Sequence, residues 1–224
     1  SVMQGPIANY EPNPPTAGPQ SRLTALSRYL APLKPGRSVL LWGEHLSPLA
    51  AAAAAWGAAR GTPILVVDAA NRFDPYGLVR EARGRGLARQ VVLAQVRVAR
   101  AFTCHQLVRL VEEILPPVLE PGCLVLVLGP VILFYDEQVP LAERRRLFRD
   151  LTNLLGRIKS QAALLLLQPL MPRGAANRHF GKLLAPIIDY FVEVGSRMAG
   201  HDQTPPPGSR RLQRGDLKSE RLSI

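Results

Sequence analysis

The chain has 224 residues, 47% of them hydrophobic, enough for one sizeable core and at most a small appendage. Lys+Arg 28 against Asp+Glu 17 gives a formal net charge of +11, which favours a polyanionic partner, nucleic acid first and an acidic membrane surface second. Two cysteines, Cys104 and Cys123, on separate expected elements and without metal spacing, exclude a disulfide framework. They read as buried free thiols in a reducing compartment. The apolar runs 123–128 and 162–167 are too short to span a bilayer, and the first residues lack a basic-then-apolar signal pattern. The expectation is a soluble cytoplasmic protein, nucleoid-associated in a bacterial cell, with no membrane partner. Part of the charge has a bland source, because Arg-, Ala-, Leu- and Pro-rich usage also follows from a GC-rich genome.

Residues 1–20 are rich in Pro, Gly and Asn with no periodic apolar face, and predict a flexible arm. Leu23, Leu26, Leu30 and Leu33 repeat at helical spacing before Pro35-Gly36 ends the pattern. Residues 38–42 form a short apolar strand. Ser47-Pro48 reads as an N-cap followed by Pro at the first helical position, opening an Ala-rich helix to about residue 60. Strand 63–68 and helix 75–85 follow, then an expected strand at 90–98. A helix at 104–115 is stopped by Pro116-Pro117. Strand 123–128, the long helix 141–160, strand 162–168 and a closing strand at 187–194 complete the series. Buried strands alternating with helices imply a mainly parallel sheet joined by crossovers. Residues 196–224 contain Pro205-Pro206-Pro207-Gly208 and then Arg210, Arg211 and Arg214, and read equally as a basic tail or a hairpin arm.

Several short motifs occur in one order. Val66-Val67-Asp68-Ala69-Ala70-Asn71-Arg72-Phe73 ends a strand, with Pro75 following. Arg100-Ala101-Phe102 ends another, and His105-Gln106 opens the next helix. Leu141-Ala142-Glu143-Arg144 starts the long helix. In this order, and with Pro35-Gly36 before the first strand, they resemble the RecA/RadA recombinases over roughly residues 35–194. The resemblance implies a three-layer αβα domain at 21–195 with a mainly parallel central sheet. It also places known nucleotide-handling positions on this chain, where the residues depart from the family pattern.

A phosphate-binding loop needs glycines whose backbone N–H groups wrap the phosphates, a Lys, and a Ser/Thr hydroxyl for Mg²⁺. The corresponding stretch is Gly43-Glu44-His45-Leu46-Ser47-Pro48, without the later glycine or the Lys-Ser/Thr pair, and Pro48 removes a backbone donor. The strand 124–128 ends in Gly129 where the family carries an Asp, and Ala70 stands where it carries the catalytic Glu. Phosphoryl transfer depends on positioning and electrostatics from these groups, and losing one costs ~10²–10³ in rate. The expectation is a degenerate pocket, lined by Gly43, Glu44, His45, Ser47, Gly129 and Gln168, with no catalytic residue, metal or cofactor. Glu44-His45 as an acid/base pair lacks a third group to orient the imidazole.

The segment after strand 162–168 occupies the position of the family's second DNA-binding loop. Gln168 resembles the Gln that links nucleotide state to that loop. Arg173, Arg178 and Lys182 supply cations for phosphates, and His179 and Phe180 supply faces for base stacking. Arg210, Arg211 and Arg214, with Lys218 and Arg221, form a second basic candidate. Arg144-Arg145-Arg146 with Arg149 reads as a solvated helix face, and His105 and Gln106 as helix-start residues making local hydrogen bonds. The resulting expectation is a non-catalytic protein that binds DNA, single-stranded by preference and without sequence readout, and assists recombination or repair. The alternative is a pseudo-ATPase subunit, alone or with further copies of itself, that regulates an active RecA-like or other repair protein through its arm and the helix around residues 50–56. A third reading, ATP chemistry through unusual ligands, would rest on Glu44 or His45.

Overall fold

Four runs of Leu, Val and Ile are too short for buried helices and too apolar for solvent, and in the structure each becomes a strand buried on both faces. The computed structural model describes residues 26–31, 33–171, 180–195 and 218–223. In chain order these are a short helix α1 (26–30), β1 (Ser38–Gly43), α2 (Leu46–Ala58), β2 (Ile64–Asp68), α3 (Pro75–Gly84) and α4 (Arg89–Gln95). There follow β3 (Val96–Arg100), α5 (Cys104–Arg109) running on as a π-turn (Leu110–Ile114), β4 (Leu124–Leu128), α6 (Leu141–Gln161), β5 (Ala163–Pro169), β6 (Tyr190–Gly195) and β7 (Lys218–Ser223).

The strands form one parallel sheet in the order β3-β2-β4-β5-β1-β6-β7. The two faces follow from handedness. The connections β1→β2→β3 step one way across the sheet and β3→β4→β5 step back, so right-handed crossovers put their helices on opposite faces. Accordingly α2, α3 and α4 pack with α1 on one face, against Leu41, Val66, Leu126 and Leu165. On the other face, α5, the π-turn and α6 cover Leu40, Val67, Val125 and Leu166. The period-2 alternation of strand side chains feeds both cores. The result is a three-layer αβα architecture. Among the described residues no helix is long and apolar enough to cross a membrane.

Helix α2 is buried on nearly every side, with Ala50 through Ala55 at the interface of sheet and α3. Small side chains permit that depth, and an all-apolar helix has no solvent face to offer. The expected partner surface around residues 50–56 is therefore internal. Ser47 is not the N-cap either: the helix starts at Leu46, His45 sits in the left-handed region at φ 53, and no side chain caps the end. Residues 89–95 are helical although Val91-Val92-Leu93 favour strand; Val92 alone of these three is buried, and Val91 and Leu93 face solvent. Residues Phe180–Ile187 form a 3-10 segment, so the expected last strand starts later, at Tyr190. β7 pairs parallel to β6, so these two strands do not form a hairpin.

At the amino ends of the strands, a polar knot ties β1, α6 and β6 together. Ser38 N donates to Asp189 Oδ2 at 2.8 Å, and Lys159 Nζ lies 2.9 Å from the same oxygen. Burial pushes the Asp189 carboxyl up, but the hydrogen bonds from Lys159 and Ser38 and the Lys159 charge outweigh it and hold the group below its ordinary value.

Candidate functional site

The carboxyl ends of β1, β2, β4 and β5 share one edge of the sheet. Neighbours β2 and β4 send their connections to opposite faces, which opens the crevice where parallel α/β sheets take ligands. Gly43, Glu44, His45, Ser47, Gly129 and Gln168 all lie along this edge, so their environment decides what the crevice can do.

The loop after β1 is stitched down on both sides. Leu170 N donates to Gly43 O at 3.2 Å, and Glu44 N donates to Val194 O at 3.3 Å. Gly43 is required by this approach: a Cβ there would sit 1.8 Å from Val194 O, at a φ of +152. The Glu44 amide therefore points at β6. Ser47 Oγ donates to Arg72 O at 2.5 Å, which joins the start of α2 to the loop after β2. Glu44 and His45 are exposed, and no described side chain orients the His45 imidazole.

Gly129 has φ +74, and a Cβ built on it would lie 2.8 Å from both Ala70 Cβ and Ile132 Cδ1. Positions 129 and 70 are thus packed against each other with no room between them. Gln168 is fully buried; its Oε1 accepts from Val131 N at 2.9 Å and its Nε2 donates to Pro169 O at 2.8 Å. It pins the loop after β4 to the end of β5.

Asp68, at the end of β2, is 0% exposed. Oδ1 accepts from Arg72 N at 3.1 Å, and Oδ2 accepts from Phe73 N at 2.9 Å and faces Arg100 Nε at 3.3 Å. Arg100 also donates to Phe73 O at 3.2 Å. The carboxylate organises the turn after β2 and couples it to the end of β3. Arg100 thus has an internal role in this chain.

The residues after Arg100 are also accounted for internally. Thr103 caps α5, accepting from Gln106 N at 3.1 Å, while Gln106 Oε1 reaches back to accept from Phe102 N at 2.9 Å. This is a capping box shifted by one residue. His105 Nε2 lies 2.8 Å from Glu143 Oε1, bridging α5 to α6, and Cys104 Sγ lies 3.7 Å from His105 Nδ1. Thiol, imidazole and carboxylate follow the order of a nucleophile, base and orienting acid. Chemistry is opposed by burial, which leaves the Cys104 side chain without solvent access and, as the largest influence, pushes its thiol above the ordinary value. The 38-residue separation of His105 and Glu143 left no local signal of this pair in the sequence.

Of the expected DNA-binding residues, Arg173, Arg178, His179, Arg210, Arg211 and Arg214 lie outside the described residues. Lys182 is exposed. Phe180 is 3% exposed and packs against the rings of Phe134, Tyr135 and Phe148, so it offers no face to a base. Arg144 is also buried, with Nη1 donating to Phe134 O at 3.1 Å, and leaves the solvated patch to Arg145, Arg146 and Arg149. Among the described residues, the sequence reading missed the exposure of two aromatics: Phe102, 62% exposed after β3, and Tyr76, 78% exposed at the start of α3. Among the described residues no group of three His, Cys, Asp or Glu side chains is placed to hold a metal. No protein-family model matches the chain, and no curated protein matches it.

Proposed function

We propose that this chain is a non-catalytic RecA/RadA-like domain that binds single-stranded DNA without sequence readout and assists recombination or repair. One observation carries the proposal: the crevice polar groups Ser47, Asp68 and Gln168 each bond to this chain's own backbone, in a protein of net charge +11. A crevice spent on internal bonds, with positions 70 and 129 packed together, supports a reading in which no nucleotide cycle drives binding. Recognition then rests on cations at the sheet's carboxyl edge. Arg173, Arg178 and Lys182 follow β5 in sequence, and Arg72 follows β2. With Phe180 buried, Phe102 and Tyr76 are, among the described residues, the exposed aromatic faces for base stacking on that edge.

The test is the affinity of the full chain for a labelled single-stranded oligonucleotide, before and after Arg173, Arg178 and Lys182 are changed together to Ala. Each phosphate contact contributes about −0.7 to the log–log salt slope for a single strand, so the triple variant should flatten that slope by about 2. An unchanged slope removes the segment from the interface. Absence of binding at low salt removes the DNA reading and favours the regulatory subunit, for which exposed Phe102 and Tyr76 are the apolar contact residues.

A further inference from the structure

On the face of the sheet opposite α2, a groove of about 660 Å³ runs between α6 and the 3-10 segment Phe180–Ile187. Its walls are largely apolar, with Leu141 from α6 and Leu183 and Ile187 from the facing segment. Leu183 is 47% exposed although it lines a concave surface. Gly156 lets the two walls converge, since a Cβ there would already lie 3.4 Å from Ile187 Cγ2. The lining residues of α6 run from Leu141 to Gly156, a length of about 22 Å at 1.5 Å per residue.

Two guanidiniums stand on the rim. Arg145 and Arg149 are one helical turn apart, both are exposed, and neither has an ion-pair partner among the described residues. Their neighbours on the same helix are engaged: Arg146 pairs with Asp150, and Arg144 is turned into the core. An apolar trough edged by two unpaired cations fits an amphipathic segment whose apolar stripe is flanked by carboxylates.

This chain's own remaining segments do not match that chemistry. Residues 172–179 contain Arg173 and Arg178 and no acid. Residues 196–217 carry Arg197, Arg210, Arg211 and Arg214 against Asp202 and Asp216. Residues 1–25 hold Glu11 balanced by Arg22, and they join the fold at Leu26, which packs in the core of the other face. A polynucleotide would satisfy the arginines but leave the Leu and Ile walls unmatched. We propose that the α6 groove docks an acidic amphipathic helix of a partner protein, with Leu or Phe side chains in the trough and Asp or Glu one turn apart on Arg145 and Arg149. The proposal stands whether or not the DNA assignment holds: Lys182, assigned to DNA, belongs to the groove's facing segment but does not line the trough, and the variants below leave it unchanged.

The probe is a rhodamine-labelled helical peptide with Leu and Phe at i, i+3 and i+7 and Glu on both flanks, titrated against the full chain by anisotropy. Two controls replace Glu by Lys, or Leu and Phe by Ser. The Glu peptide should bind with a Kd in the ~µM range expected of a helix-in-groove contact, and both controls should fail. The double variant Arg145→Glu/Arg149→Glu should weaken the Glu peptide at least tenfold and bind the Lys peptide instead. Both positions are exposed, so its thermal midpoint should equal that of the parent chain, which separates docking from folding. Leu183→Ser should weaken the peptide with the charge intact. Four outcomes overturn the proposal: no binding of the Glu peptide; binding indifferent to the charge reversal; binding only after residues 1–25 are deleted, which would place the occupant in this chain; or an oligonucleotide that competes for the groove and loses affinity with the same double variant.

Discussion

Asp68 separates a structural carboxylate from a functional one. A carboxylate kept for ligand chemistry is held unpaired, and its removal commonly leaves stability unchanged or raised. Asp68 has the opposite surroundings: no exposure, two backbone N–H donors and the Arg100 guanidinium. A hydrogen bond to a charged group contributes about 1.5–3 kcal/mol. The Arg100 pair adds under about 1 kcal/mol, because its guanidinium side chain is 41% exposed and solvent screens it. Asp68→Ala, which loses all three, should therefore cost about 3–5 kcal/mol. For a chain of this size 1 kcal/mol moves the midpoint by about 2–4 °C, so a fall of about 10 °C is expected. Asp68→Asn keeps one acceptor oxygen but turns an NH₂ toward either Arg72 N or Phe73 N, and should cost about half as much. Arg100→Ala leaves both backbone donors in place and should cost about 1 kcal/mol. Thermal unfolding followed by circular dichroism reads all three. An Asp68→Ala chain as stable as the parent would refute the structural assignment.

Further consequences follow from the same geometry. Gly43→Ala should destabilise by about 3 kcal/mol, since its methyl group would meet Val194 O and the β1–β6 pairing must shift, seen as a lowered urea midpoint. Gly129→Asp, which introduces an acid at the end of β4, should lower the thermal midpoint and produce no ATP hydrolysis, because Ala70 and Ile132 fill the space. The Asp189 knot should make the fold acid-sensitive. Its folded carboxyl titrates below the ordinary Asp value of about 3.9, so its stabilisation is complete above that pH and is lost as pH falls to the folded value. Asp189→Asn should then be less stable than the parent at neutral pH and converge with it under acid; a gap that widens on acidification would contradict the assignment.

The sequence announces the parts of this fold whose pattern is local. Runs such as Leu124–Leu128 become strands covered on both faces, and helices open at Pro75 and Cys104 where the pattern places them, whereas the N-cap expected by residue type at Ser47 does not form. Long-range packing erased the signal elsewhere. Val91-Val92-Leu93 carries strand propensity, yet this stretch packs as helix against α2 and α3 with Val92 inward. Arg144 lies in a run of like charges that reads as solvated, and nothing in the run reveals that one member reaches the carbonyl of Phe134. Phe180 stands among basic residues as if for stacking, whereas three rings brought from Phe134, Tyr135 and Phe148 enclose it. For the site, residue types placed Ser47 and Gln168 near strand ends, but the internal bonds of Ser47, Asp68 and Gln168 needed the tertiary structure.

Binding to single-stranded DNA without a nucleotide cycle is tested by the anisotropy of a labelled oligonucleotide across a salt series, with and without Mg²⁺-ATP. The expected affinity falls linearly in log–log form as salt rises, with identical curves in the two nucleotide conditions. Binding that tightens or releases with ATP, or no binding at the lowest salt, would contradict it.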